Sequence, residues 1–340
     1  MNKVQFLTDI HSLQKATILT QTEGILQDIL MYHYQSPGKM LRPQFAYALA
    51  VALETSPSQI LPWASACEML HNATLIHDDF QDQDVVRRDQ ETVWMKYGGN
   101  QAINAGDALL SMSSNLAINR ELDSSINLAL LQELSQTATQ LVDGQSLEFT
   151  LPTYLGSNNL EKIYRKCVSY KTSRLFMGLA RGVGIIANLS DQELVFLSKA
   201  FSSLGIIFQF QDDILDIFGD KKRDIRGNDI KEGKVSRLLV SYLSLYPDDD
   251  FKILDMILKP RQETTDGDIL FVTDVFKNSG SLNHAIEEIQ KQVLTIKNLK
   301  LLKENSAIYE LILRSIAKTL EPIESVQVKN QGSLEIQWTC

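Results

Sequence analysis

Apolar residues recur at three- and four-residue steps along most of the chain. In EMLHNATLIHDDFQDQD (68–84), Met69, Leu70, Ala73, Leu75 and Ile76 form an apolar stretch that gives way to a carboxylate-rich end. In LSKAFSSLGIIFQFQDDILDIFGD (197–220), Leu204, Ile207, Phe208, Gln211 and Leu215 keep the same spacing. This period belongs to helices that bury one face. No stretch sustains the alternation of strands between hairpin turns. The pattern predicts an all-α chain, with long helices near 10–33, 39–54, 58–85, 99–118, 125–149, 159–187, 191–218 and 233–246, and several more after 280. Breaks are expected at Ser36-Pro37-Gly38, Gly98-Gly99, Pro152–Asn159, Gly219–Gly233 and Tyr246–Asp250. None is long enough for an interdomain linker, so residues 1–340 are expected to form one domain.

The chain is long enough to bury a core that holds an internal cavity. Its formal net charge of −9 advertises no basic surface for nucleic acid. An anionic ligand would have to be met locally, by clustered Arg and Lys or by bound metal. Cys67, Cys167 and Cys340 are odd in number and widely spaced, which argues against a disulfide framework or zinc site and fits a reducing cytoplasm. The start, MNKVQFLTDIHSLQK, lacks the apolar run of a signal peptide. FAYALAVAL (45–53) is too short to span a membrane, and no transmembrane segment is expected.

Two clusters share the spacing D-D-x-x-D: Asp78, Asp79 and Asp82, with Asp84 nearby, and Asp212, Asp213 and Asp216. Each follows an apolar helix. Residues at i and i+4 share a helix face, so Asp78 lies over Asp82 and Asp212 over Asp216. Like charges at this spacing repel, and the negative end of the helix dipole worsens the repulsion. A divalent cation offsets that cost. Mg²⁺ takes one or two carboxylates and completes its shell with waters and substrate phosphates. A solvated acidic helix end is the bland alternative for one such motif; two copies in the same context weigh against it.

Separate cationic groups accompany the clusters. Lys39 and Arg42 lie in PGKMLRP (37–43), at a helix start where backbone N–H groups are free. His71 lies two turns before Asp78, and Arg87-Arg88 one turn beyond the first cluster. Lys171-Thr172 and Lys234 follow later. Neighbours on a helix point about 100° apart, so Arg87 and Arg88 could serve different ligands. Acidic clusters beside distinct cationic groups imply two diphosphates, one held through metal and one held directly.

At this point the chain resembles the trans-isoprenyl diphosphate synthase (polyprenyl synthetase) family. The matching segments are PGKMLRP, EMLHNATLIHDDFQDQDVVRR, NAGDALL, LVDGQ, YKTSRLF and GIIFQFQDDILDIFGD followed by NDIKEGK, in the family's order. The motif-bearing core runs from about 37 to 245. The resemblance implies an all-α bundle around a deep central cavity, usually a homodimer, that joins isopentenyl diphosphate to an allylic diphosphate. It casts Asp78, Asp82 and Asp212 as Mg²⁺ ligands, supported by Asp79, Asp213 and Asp216, with three ions bound alongside the allylic diphosphate. Lys39, Arg42, His71 and Arg88 would hold isopentenyl diphosphate; Arg87, Lys171, Thr172, Gln209 and Lys234 would hold the allylic one.

Three departures stand out. Asp89 replaces the glycine usual after the arginine pair. Lys221, Lys222 and Arg223 are the candidates for a lysine with no clean equivalent. The usual Thr-Leu-Pro after GK reads Ser236-Arg237-Leu238. In the family, bulky aromatic residues four and five positions before the first cluster stop the product at fifteen carbons. Here they are Thr74 and Ala73, which implies a product of twenty carbons or more. A farnesyl diphosphate synthase and a class I terpene cyclase are the alternatives. A cyclase would need no second diphosphate site. A regulatory subunit would be expected to lose carboxylates, and both clusters are intact.

Overall fold

Almost all the expected helices form, and the exceptions are informative. The computed structural model describes residues 1–36, 38–219, 227–247, 251–261, 263–299 and 306–331. Lys221, Lys222 and Arg223 lie outside the described residues. The helices are α1 (Lys3–Gln21), α2 (Gly24–His33), α3 (Leu41–Ala52), α4 (Pro57–Gln81), α5 (Val93–Tyr97), α6 (Gly99–Leu116), α7 (Ser124–Thr150), α8 (Leu160–Val168) and α9 (Arg174–Ile186). They continue with α10 (Asp191–Phe218), α11 (Asn228–Lys231), α12 (Arg237–Leu245), α13 (Phe251–Ile257), α14 (Asp266–Asn278), α15 (Ser281–Lys297) and a last helix, Ser306–Gln331. The fold is all-α. Among the described residues the strands are confined to one short hairpin, β1 (Val86–Arg87) with β2 (Gln90–Glu91).

The chain falls into two compact units. The first contains Met1–Thr139 and Leu175–Ser198; the second contains Gln140–Arg174 and the chain from Lys199 onward. In the first unit α4 is the central helix, packed by α1, α3 and α6. Pro57 sits at its first turn, where a missing N–H costs nothing. Ala64, Ala66 and Ala73 are buried along its length beside Ile60, Met69, Leu70 and Ile76. A helix wrapped on most sides needs small residues where neighbours approach. Trp63 anchors it: the ring is 1% exposed, and Nε1 donates to the Leu179 carbonyl at 2.9 Å.

In the second unit α12 packs on α8, α14 and α15. Leu282, Ala285, Ile286, Ile289, Val293 and Ile296 supply the buried face of α15. A reciprocal cap between Thr265 and Asp268 starts α14.

Several boundaries differ from the sequence expectation. The helix expected over 10–33 is two helices, broken where Thr22 turns extended (φ −133°, ψ 160°). Polar residues there leave no trace in the apolar period. The helix expected to reach 85 ends at Gln81, and Arg87-Arg88 lie on the hairpin rather than on a helix. The helix expected over 159–187 holds a π-helical segment, Ser169–Ser173, between α8 and α9. Two helices, α13 and α14, occupy a stretch for which none was expected. By length and composition alone, α10 could cross a membrane, contrary to the expectation that no segment could. Half of its apolar window is buried inside the protein.

Removing the anchor of α4 tests this packing. Trp63→Ala should lower stability by about 3–5 kcal/mol, read as a lower urea midpoint. Trp63→Phe, which keeps an aromatic ring but loses the donor and part of the indole, should cost less, about 1–3 kcal/mol. Equal losses in the two variants would mean that the hydrogen bond, not the packing, carries the contribution.

Candidate active site

The first cluster closes α4. Asp82 caps the helix, and its N–H donates to the Asp78 carbonyl at 2.8 Å. Gln83 follows at φ 57°, Gln83 N–H reaches Phe80, and Asp84 N–H reaches back to the Asp79 carbonyl at 2.9 Å. This pair of bonds is a Schellman closure with Gln in the place glycine usually takes. The closure turns the chain sharply, and the Asp84 carbonyl then accepts from Thr92 Oγ1 and Trp94 Nε1, both at 2.7 Å. The hairpin is therefore pinned directly beside the cluster.

The hairpin pairs Val86 with Glu91 and Arg87 with Gln90, so Arg88 and Asp89 make a two-residue turn. Both have positive φ, 53° and 62°. That is the type I′ geometry that matches strand twist. Aspartate tolerates the left-handed region better than most residues, which accounts for Asp89 standing where glycine is usual. The turn also sends the two arginines apart. Arg87 Nε pairs with Asp79 Oδ1 at 2.5 Å, and Arg88 Nη1 donates to the Ser36 carbonyl at 2.6 Å.

The three carboxylates differ in environment. Asp79 is 1% exposed, while Asp78 and Asp82 are half-buried. Burial pushes the Asp79 carboxyl up to about 7 against the pull of Arg87. Among the isopentenyl candidates, Arg42 is half-buried on α3, 5.3 Å from the Phe176 ring centre. His71 is half-buried on α4; burial, then Arg42, Arg88 and Arg87, hold it well below the usual histidine range. These four groups therefore share one electrostatic neighbourhood. Lys39 is exposed on the loop before α3. Ala73 is fully buried in α4, and half-buried Thr74 bonds the His71 carbonyl through Oγ1 at 2.8 Å.

The second cluster repeats the contrast. Asp212 is exposed, Asp213 is 4% exposed and Asp216 is buried. Asp213 accepts from Tyr164 Oη at 2.8 Å, from the Arg237 backbone N–H at 2.6 Å and from Gln209 Nε2 at 2.7 Å. Burial still raises it to about 6. Gln209 Oε1 accepts from Thr172 Oγ1 at 2.6 Å. Thr172, Gln209 and Asp213 thus form one continuous hydrogen-bonded chain.

Thr172 and Lys171 sit on the π-helical turn, a device that recurs at functional sites because the extra residue redirects side chains. Two glycines make room for it. A Cβ at Gly144 would strike the Lys171 backbone, and one at Gly205 would lie 2.5 Å from Ser173 Cα. Lys171 pairs with Glu148, and Lys234 with Glu232 at 2.5 Å.

Sequence reasoning missed four groups. Tyr164 and Arg237 hold Asp213. Glu68 lies buried near Arg42. Asp229 N–H donates to Asp216 Oδ2 at 3.0 Å, while burial, then Asp216 and Asp213, hold the Asp229 carboxyl well above the usual range. The acidic residue of NDIKEGK was the available signal for Asp229. Arg237 stood out in the sequence only as a departure, without a role: it is fully buried between the Tyr164 and Phe210 rings, each 5.4 Å away, and bonds Glu161 at 2.9 Å.

Among the described residues, no three His, Cys, Asp or Glu side chains converge into a ready-made metal cage. The donor set is all oxygen, which suits Mg²⁺, and Mg²⁺ does not require a protein-only cage.

The polyprenyl synthetase model matches residues 23–276. The chain belongs to the polyprenyl synthetase family. It is 34% identical over 212 residues to a geranylgeranyl diphosphate synthase of Methanosarcina mazei, a match spanning 62% of this chain and 65% of that protein. It is 30% identical over 299 residues to a geranylgeranyl diphosphate synthase of Saccharolobus solfataricus, spanning 86% and 89%. A crystal structure of a geranylgeranyl pyrophosphate synthase superposes with a TM-score of 0.79 at 26% identity, covering 93% of this chain and 99% of that one. Prenyltransferases of this family are generally Mg²⁺-dependent.

The turn that separates the arginines offers a direct test. Asp89→Val should cost about 1–2 kcal/mol, the strain of a branched residue in the left-handed region, and should weaken substrate binding by misplacing Arg87 and Arg88. Asp89→Gly should stay within about 1 kcal/mol of the parent. Equal unfolding midpoints and equal KM values for both variants would rule out a role for turn strain.

Proposed function

We propose that this chain condenses isopentenyl diphosphate with an allylic diphosphate, head to tail, releasing pyrophosphate and building a trans-polyprenyl diphosphate of twenty carbons or more. The observation that carries the reading is the chain Thr172–Gln209–Asp213, which ties candidate allylic-diphosphate residues to the second aspartate cluster. Asp78, Asp82 and Asp212 would hold Mg²⁺, and Asp216 would support them. Asp79 and Asp213, whose oxygens are engaged by Arg87 and by Tyr164, Gln209 and Arg237, would set their neighbours' positions. Bound Mg²⁺ supplies Lewis-acid stabilisation of a departing diphosphate. Arg87, Lys171 and Lys234 would each add positive charge that stabilises the leaving group. Lys39, Arg42, His71 and Arg88 hold isopentenyl diphosphate so that its alkene meets the allylic cation. The proton lost afterwards has the released pyrophosphate as its acceptor. The same reading takes the working enzyme to be a cytoplasmic homodimer of one-domain chains with three Mg²⁺ ions.

A terpene cyclase would ionise one diphosphate and need no second cationic group. The shared neighbourhood of Arg42, His71 and Arg88 favours coupling. The deciding experiment incubates the purified chain with isopentenyl diphosphate, each allylic starter and Mg²⁺, then sizes the dephosphorylated products. Alcohols of twenty carbons or more are expected. Hydrocarbon from the allylic diphosphate alone would favour the cyclase. Asp212→Ala should lower turnover by at least about 100-fold, the scale of losing a group that stabilises developing charge, with helicity retained. Full turnover in excess chelator would refute the metal assignment.

Product length is tested at Ala73. One helical turn rises about 5.4 Å, close to one isoprene unit. If Ala73 borders the growing chain, Ala73→Phe should stay active and release a shorter product. If it only packs, the ring should cost about 1–3 kcal/mol of stability and lower activity with product length unchanged.

A further inference from the structure

Among the buried acids that the mechanism leaves unused, Glu68 lies closest to the cationic groups assigned to isopentenyl diphosphate, whose charges act on it. Glu68 lies on α4, 3% exposed, and its Oε2 has no hydrogen-bond partner. Two more buried polar atoms nearby share that condition, the Tyr34 hydroxyl and Arg42 Nε. Tyr34 is itself 3% exposed. Glu68, Tyr34, His33, Asn72, His11 and Arg88 line one narrow crevice. A buried carboxylate oxygen without a donor is costly when ionised. The charges of Arg42 and Arg88 offset part of that cost.

Arg42 and Arg88 are also the groups assigned to isopentenyl diphosphate. A diphosphate placed on them competes for the same positive charge. A second, multiply charged anion beside a buried carboxylate disfavours ionisation of the carboxylate. Once protonated, Glu68 gains an O–H to donate.

Resting on the functional reading above, we propose that Glu68 is the proton-linked counter-charge of the isopentenyl diphosphate site, ionised while Arg42 and Arg88 hold no ligand and neutral once they hold a diphosphate. Its free state is poised for this. Burial pushes the carboxyl up to about 7 while Arg42 and Arg88 pull it down. Ligand binding then raises it further, so affinity is full below about 7 and falls as pH rises above it.

The other titratable groups around it do not report in that window. His33, bonded to Asn72 at 2.9 Å, is held near 4 by burial. His71 lies well below the usual range, and His11 is lowered by burial and Lys15. Tyr34 is raised by burial and by Glu68. Arg88 faces the crevice from the hairpin, Arg42 on α3 acts on Glu68 through its charge, Arg87 stands beside Arg88, and Cys67 precedes Glu68 on α4. Asp79, also near 7 through burial, is the one other carboxyl to control for. It is retained in a Glu68 variant and cancels in the comparison.

Calorimetric titration of the full-length chain with isopentenyl diphosphate at pH 8, in two buffers of different ionisation enthalpy, counts protons directly. The ligand's own last ionisation, near about 6 for a phosphate group, is complete there. The wild type should take up close to one proton on binding, and its Kd should weaken up to about tenfold per pH unit above 7. Glu68→Gln, neutral and of the same shape, should take up at least half a proton less and bind with a flat pH profile. Equal proton uptake in both proteins, or none in the wild type, overturns the role of Glu68 and leaves the function standing. Should Glu68→Gln fail to fold, the wild-type Kd profile decides, and a flat profile above pH 7 overturns the proposal. A wild type that binds no isopentenyl diphosphate overturns the functional reading and this inference with it.

Discussion

Gathering carboxylates at the C-terminal end of a helix is electrostatically unfavourable, and much of the surrounding architecture answers that cost. The helix dipole and the i, i+4 spacing both oppose Asp78 beside Asp82 and Asp212 beside Asp216. In each cluster the second aspartate is taken out of solvent and tied to the protein. Asp79 is tied to Arg87; Asp213 is tied to Tyr164, Gln209 and the Arg237 backbone. Locking the middle residue fixes the orientation of the helix end and leaves Asp78, Asp82 and Asp212 at the more accessible positions, while Asp216 is also buried.

The devices that achieve this differ between the clusters. Beside the first, a Schellman closure and a type I′ hairpin return the chain so that Arg87 meets Asp79 while Arg88 departs toward Ser36. Around the second, α7 and α10 approach a π-helical turn closely because Gly144 and Gly205 carry no side chain there. That turn presents Thr172 to Gln209, and Gln209 to Asp213. Arg237, buried where leucine is usual in the family, adds a cation between two aromatic rings and reaches Glu161, which also pairs with Arg165. A buried cation of this kind is costly to strand and specific in its geometry.

The positions of the acidic clusters on apolar helices were legible because spacing along a helix is a local property. The hairpin was not. It consists of two residues per strand and depends on positive φ at Arg88 and Asp89, which no apolar period records. The break at Thr22 was hidden for the same reason. Glu68 carried no signal in the sequence, because its burial depends on α1, α3 and the hairpin, which are other segments. Tyr164 and Arg237 lie 49 and 24 residues from the aspartate they hold, beyond any local pattern.

By itself the sequence determined the helical class, the two carboxylate faces, the presence of separate cationic groups and the family. All follow from residue type and short-range spacing, which the covalent chain sets before folding. Tertiary structure alone decided which aspartate of each cluster is buried, which way each arginine of the pair points, and which acid lies among the cations without being a metal ligand. Those outcomes depend on desolvation and on partners distant in sequence, and both arise only when the helices pack.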